Sequence, residues 1–134
     1  IYALLSVVFR CTANNTGRQI LDVELSHAGN TVSLRALCDT GNSLIDPVTG
    51  DNVMIASVLV LCKLIPGCES ISAENLQEFP QYKFRLIPYR AVGTDGGLLP
   101  AFRPDKISID GQIRDDVLVA ISPCVEGNGF NAIF

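Results

Sequence analysis

A chain of 134 residues is the length of one domain. Ten Lys plus Arg against fourteen Asp plus Glu give a net charge of −4, with no basic run, which excludes a principal role in binding nucleic acid through its phosphates. With 18% charged and 48% hydrophobic residues the chain is not a disordered one, and a single His excludes a His-rich metal site within one chain. The mean hydropathy is high for a small domain, which points to self-association or to a parent protein at a membrane.

Read from the N-terminus, Tyr2 to Arg10 is β-branched and apolar and reads as a strand, and Asn14 to Gly17 as a turn. Leu21, Val23 and Leu25 alternate with Asp22, Glu24 and Ser26, and Val32, Leu34, Ala36 and Cys38 alternate with Thr31, Ser33 and Arg35. This period of two, broken by Ala28-Gly29-Asn30, predicts a β-hairpin with one apolar face. Its second strand runs straight into Asp39-Thr40-Gly41-Asn42, and Asp46 to Gly50 is a further turn.

Val58, Leu61, Cys62 and Ile65 are spaced for a helix over 56–65 that Pro66-Gly67 ends, and Ser72 is placed to cap a short helix through Phe79. Tyr82 to Val92 and Leu98 to Phe102 read as two strands around a glycine-rich tip, Gly93-Thr94-Asp95-Gly96-Gly97. Pro88 and Pro100 lie on the two arms and argue against a central place in a sheet. Strands are expected at Ile107 to Ile109, at Ile113 to Ile121 after the Asp110-Gly111-Gln112 turn, and at Asn131 to Phe134. The expected class is mostly β with one or two short helices.

The most apolar stretch, Val53 to Ile65, holds Ser57 and Lys63 and falls short of the ~20 residues a membrane helix needs. The N-terminus has no Met and no basic segment, and the C-terminus stops on an apolar run, so the chain is expected to be a domain excised from a longer protein. The five cysteines, Cys11, Cys38, Cys62, Cys68 and Cys124, form no CxxC pair. An odd count without such pairs argues against a disulfide framework or a zinc site and for buried thiols in a reducing compartment.

Leu37-Cys38-Asp39-Thr40-Gly41 carries the chemistry. An Asp where an apolar strand ends, beside a Gly that lets the backbone turn tightly, is placed to present a carboxylate into a cleft. The reaction that uses such a group is acid–base peptide hydrolysis, in which two neighbouring carboxylates share one proton because both cannot ionise at ~3 Å. Thr40 would lock the paired loops through its hydroxyl.

By itself the triplet is also a common turn. Its context adds the alternating hairpin before it, the glycine-tipped hairpin after it and the short apolar strand at the end, in the order of a retropepsin-like aspartic protease monomer. Gly93 to Gly97 is then the expected flap, whose backbone N–H groups would bind an extended peptide. Only one Asp-Thr-Gly exists in the chain and no Asp-Ser-Gly, so a dyad requires a second copy, and the expected assembly is a two-fold homodimer.

Cysteine chemistry by Cys38 with His27 as base is opposed by the hairpin register, which puts the two at opposite ends of the hairpin. A metal site from Asp39, Asp46 and Asp51 lacks ligand spacing, and no metal or other cofactor is expected. Asp115-Asp116 reads as a solvated hairpin end.

The segments Ala36 to Pro47, Ile87 to Gly93 and Gly97 to Asp105 together resemble the sporulation sigma-E factor-processing peptidases, a family of membrane-associated aspartic proteases of endospore-forming bacteria. The resemblance covers nearly the whole chain and matches the family's C-terminal protease half. It implies a retropepsin-like half-barrel over residues 1–134 and a preceding membrane domain. It implies cleavage of the inhibitory N-terminal pro-segment of a sigma factor, at the mother-cell membrane with this domain on the cytoplasmic side, and activation by a signal protein made in the forespore. The motif carries the catalytic role onto Asp39, with Thr40 and Gly41 in support. The alternative is a catalytically silent retropepsin-like dimer that binds an extended peptide.

Overall fold

The computed structural model describes residues 19–38, 44–72, 74–89, 97–122 and 129–134. Among these, the strands β1 (Gln19–His27), β2 (Asn30–Cys38), β3 (Asn52–Ser57), β4 (Arg85–Tyr89), β5 (Gly97–Phe102), β6 (Lys106–Ile109), β7 (Gln112–Arg114), β8 (Val117–Ser122) and β9 (Ala132–Ile133) form one sheet in the order β4-β5-β8-β3-β9-β2-β1-β6-β7. The class is mostly β, in keeping with a retropepsin-like half-barrel. The expected N-terminal strand at Tyr2 to Arg10 lies outside the described residues.

The first hairpin follows from its alternation. Strands β1 (Gln19–His27) and β2 (Asn30–Cys38) pair antiparallel from Gln19 opposite Cys38 to His27 opposite Asn30. Two residues, Ala28 and Gly29, both at positive φ, make the connection. That is the turn whose twist matches the flanking strands. Leu21, Val23, Leu25, Val32, Leu34 and Ala36 are buried, while Asp22 and Glu24 face out.

Strands β3 (Asn52–Ser57) and β8 (Val117–Ser122) pair in parallel and are covered on both faces. Met54, Ala56, Val119 and Ile121 join the larger apolar cluster, and Val53, Ile55, Leu118 and Ala120 the smaller one on the opposite face. Burial on both faces produces continuous apolar runs without period two. This corrects the expectation of a helix over 56–65. Ala56 and Ser57 complete β3, and the Ser57 hydroxyl caps a single helical turn at Val58–Leu61 by accepting the Leu59 N–H at 3.2 Å.

The segment after Ser72 is likewise no continuous helix. Short 3-10 turns occupy Cys68–Ser70, Leu76–Glu78 and Pro80–Tyr82. The Asn75 side chain accepts from the Ser72 N–H at 2.7 Å and donates to the Ser70 carbonyl at 2.7 Å, a local alternative to helical bonds. Tyr82 therefore belongs to a turn, and strand β4 covers Arg85–Tyr89.

Strand β5 (Gly97–Phe102) pairs with β4 along its length, from Tyr89 opposite Gly97 to Arg85 opposite Ala101. The two prolines sit as expected. Pro88 is on the edge strand, and β5 joins β8 only at Ala101 and Phe102, beyond Pro100. The run expected from Ile113 to Ile121 divides. Strand β7 (Gln112–Arg114) pairs with β6 (Lys106–Ile109), and the chain then turns at Asp115-Asp116 into β8. Asp116 is more than a solvated end, because its carboxylate takes two bonds from Arg114, at 2.8 and 2.9 Å.

Strand β9 (Ala132–Ile133) holds the end of β2. It inserts between β2, parallel, and β3, antiparallel. Leu37 and Ile133 stand opposite each other, both fully buried in the smaller cluster. Burying a side chain of this size contributes about 1.5–3 kcal/mol, so the end of β2 is held firmly.

Candidate active site

Asp39, Thr40 and Gly41 lie outside the described residues, as do Gly93, Thr94, Asp95 and Gly96. Gly97 is described and opens β5. The chain on either side of these segments is fixed in detail.

Residues 39–43 connect the end of β2 to Leu44. On one side, the Phe134 N–H donates to the Leu37 carbonyl at 2.9 Å, so the C-terminal residue lies beside Cys38. On the other, the Val53 N–H donates to the Leu44 carbonyl at 3.1 Å, and Ile45 forms a bridge with Asn52. Cys38 and Leu44 line one cavity of about 270 Å³ together with Asn52, Val53, Arg114 and Phe134. The Arg114 guanidinium carbon stands 5.7 Å from the centre of the Phe134 ring, within range of a cation–π contact. Cys38 is half-buried on this cavity, not fully buried as its alternation suggests, because β2 ends there.

Asn131 locks β9 in place. Its side-chain oxygen accepts the Arg35 N–H at 2.9 Å, its N–H donates to the Arg35 carbonyl at 2.9 Å, and its carbonyl accepts the Ser57 N–H at 2.9 Å. One residue thus ties β2 to β3 just before the strand that separates them. The sequence signal for it was slight, a polar residue ahead of a short apolar run.

The β4–β5 hairpin is held at its base by the turn at 46–50. The Asp46 carboxylate is 1% exposed and lies 3.3 Å from the Arg85 guanidinium of β4. It also accepts the Val48 N–H at 2.9 Å and the Thr49 hydroxyl at 3.1 Å, which folds the expected turn around it. Arg103, just past β5, bonds the Asp51 carboxylate and the Asp115 carbonyl. The hydrogen bond from Arg103 holds the Asp51 carboxyl below its ordinary range. Arg114 lowers Asp116 in the same way, and its own guanidinium is raised in return.

The register disposes of the Cys38–His27 pairing. His27 stands opposite Asn30 at the tip and Cys38 opposite Gln19 at the other end. Among the described residues no group of three or more His, Cys, Asp or Glu is placed to hold a metal ion, and no helix is long and apolar enough to cross a membrane.

The family model described as Sporulation factor SpoIIGA, Peptidase_U4, matches residues 1–133. The chain belongs to this peptidase family. A sporulation sigma-E factor-processing peptidase of Priestia megaterium is 34% identical over 81% of the chain and 40% of its own length. The protein of the same name from Bacillus subtilis is 28% identical over 87% of the chain and 40% of its own length. The chain therefore spans about two fifths of the length of these relatives. No solved structure matches it.

Proposed function

We propose that this chain is the protease domain of an aspartic endopeptidase that removes the inhibitory N-terminal pro-segment of a sporulation sigma factor. The observation that carries the reading is the place of the single Asp-Thr-Gly. It begins at the residue after β2, where β9 wedges between β2 and β3 and fixes the strand end. The substrate class rests on the names of the relatives, which are sigma-E factor-processing peptidases.

The mechanism uses two copies of Asp39, one from each protomer of a homodimer. One carboxylate is ionised and takes a proton from water as the water attacks the scissile carbonyl. The other is protonated and hydrogen-bonds the carbonyl oxygen, and the shared proton keeps two charges from facing each other at ~3 Å. Thr40 and Gly41 shape the loop, and Gly93 to Gly97 close over the substrate as a flap. No cofactor takes part. The domain works on the cytoplasmic side of the mother-cell membrane, attached through an N-terminal membrane half, and answers to a signal protein from the forespore.

The test is Asp39→Asn in the membrane-linked parent, assayed on pro-sigma factor. Cleavage is expected to vanish while binding of the substrate persists. Unchanged cleavage would rule out Asp39 as the catalytic acid.

A further inference from the structure

The base of the flap hairpin also borders a cavity of about 550 Å³, walled by His27, Lys83, Arg85, Arg103 and Asp105 among others. It is distinct from the Cys38 cavity. Its His27 end stands eight residues along the first hairpin from the Cys38 end, about 27 Å at ~3.4 Å per residue.

Its wall carries three basic side chains and one carboxylate. Two of the cations are fixed from outside the cavity. Arg85 is held by Asp46 and Arg103 by Asp51 and the Asp115 carbonyl, and none of these three acceptors lines the wall. Both guanidinium side chains stay part-exposed, at 35% and 45%. A guanidinium has five N–H donors, so each keeps donors for the cavity side. The third cation, Lys83, is on the wall in a left-handed conformation at φ 52°, which a non-glycine residue adopts at a cost. It has no ion pair among the described residues, whereas the carboxylate, Asp105, is already engaged by the Ala28 N–H at 2.9 Å. The His27 ring, packed 5.3 Å from both Tyr82 and Phe102, closes one side.

Orientated cations around a cavity raise the local concentration of anions and present several charge-assisted hydrogen bonds at once. We propose that this cavity binds one oxyanion group, a carboxylate or a phosphate, on Lys83, Arg85 and Arg103. The proposed site rests on Lys83, Arg85 and Arg103 alone and does not depend on the peptidase reading.

His27 is the one histidine of the chain, so its imidazole Cε1–H gives an unambiguous NMR signal on the cavity wall. The chain is titrated at constant pH with inorganic phosphate, with acetate and with sodium chloride at matched ionic strength. Phosphate, acetate or both are expected to shift the signal saturably, and sodium chloride is not. A response to one alone assigns the oxyanion class, and a response to both means that charge suffices. Lys83→Gln is expected to weaken binding about fivefold. Lys83→Gly, which suits the left-handed backbone while removing the cation, should do the same. Lys106→Gln, an exposed lysine off the wall, should change nothing. The proposal fails if both anions act only as sodium chloride does, or if folded Lys83→Gln and Lys83→Gly bind as the parent chain does.

Discussion

Asp46 and Arg85 join the turn at 46–50 to strand β4 across 39 residues of chain. The buried carboxylate, 3.3 Å from the guanidinium, ties that turn to the first arm of the β4–β5 hairpin. Removing Asp46 leaves Arg85 without its partner and the Val48 N–H and Thr49 hydroxyl without their acceptor. Asp46→Ala is expected to cost about 1.5–3 kcal/mol, read by chemical denaturation. Val48→Ser, in the same turn but 77% exposed, should stay within about 0.5 kcal/mol. A double-mutant cycle with Arg85→Met should show coupling. Additive losses would mean that the ion pair does not link the two elements.

Acid should loosen the 51 and 116 positions in a defined sense. Both carboxyls are lowered in the folded chain, Asp51 by its bond from Arg103 and Asp116 by its bonds from Arg114. A lowered carboxyl adds stability above its unfolded pKa of about 3.9, and that stability is lost as pH falls through the folded value. Denaturation midpoints should therefore drop below about pH 4. The drop should be smaller in Arg103→Gln and in Arg114→Gln, which have less to lose. An unchanged acid slope in both variants would contradict these assignments.

The thiols should differ in reactivity. Burial pushes the Cys68 thiol up to about 12, against an ordinary 9.0. At pH 8 this leaves about a thousandfold less thiolate than an ordinary cysteine holds. Cys62 is also raised, chiefly by its hydrogen bond to Glu69, at 3.0 Å. Native protein treated with iodoacetamide and mapped by mass spectrometry should show Cys68 unmodified over times that label the unfolded chain fully. Rapid native labelling of Cys68 would show that its burial is overstated.

The flap assignment predicts a separation of folding from function. Gly96→Val, and deletion of Thr94 and Asp95, should cripple cleavage of the pro-sigma substrate by the parent. Both should leave the denaturation midpoint of this chain within about 0.5 kcal/mol of the original, because the change is confined to the hairpin tip. Full activity in both variants would remove the flap role.

How much of this was legible in the sequence depended on whether one face or two were buried. The first hairpin was readable because Leu21, Val23 and Leu25 face the core while Asp22 and Glu24 face out. Strand β3 was not, because Val53 and Met54 are buried on opposite faces and leave no alternation to distinguish strand from helix. The hairpin that ends at Tyr89 and resumes at Gly97 was legible as two apolar runs around a glycine-rich tip. The ties from Asp46 to Arg85 and from Asn131 to Arg35 were not, since they span 39 and 96 residues and leave no local pattern. Cys38 looked buried by parity, but parity fails where the strand stops.

The central claim is that two chains share one site, and mixing tests it most directly. Wild-type parent is co-expressed with an excess of Asp39→Ala chains carrying a distinguishable tag, and mixed dimers are quantified by pull-down. A shared dyad predicts that cleavage falls well below the wild-type fraction, because each mixed dimer holds only one carboxylate. Cleavage that tracks the amount of wild-type chain, with mixed dimers demonstrably present, would contradict it.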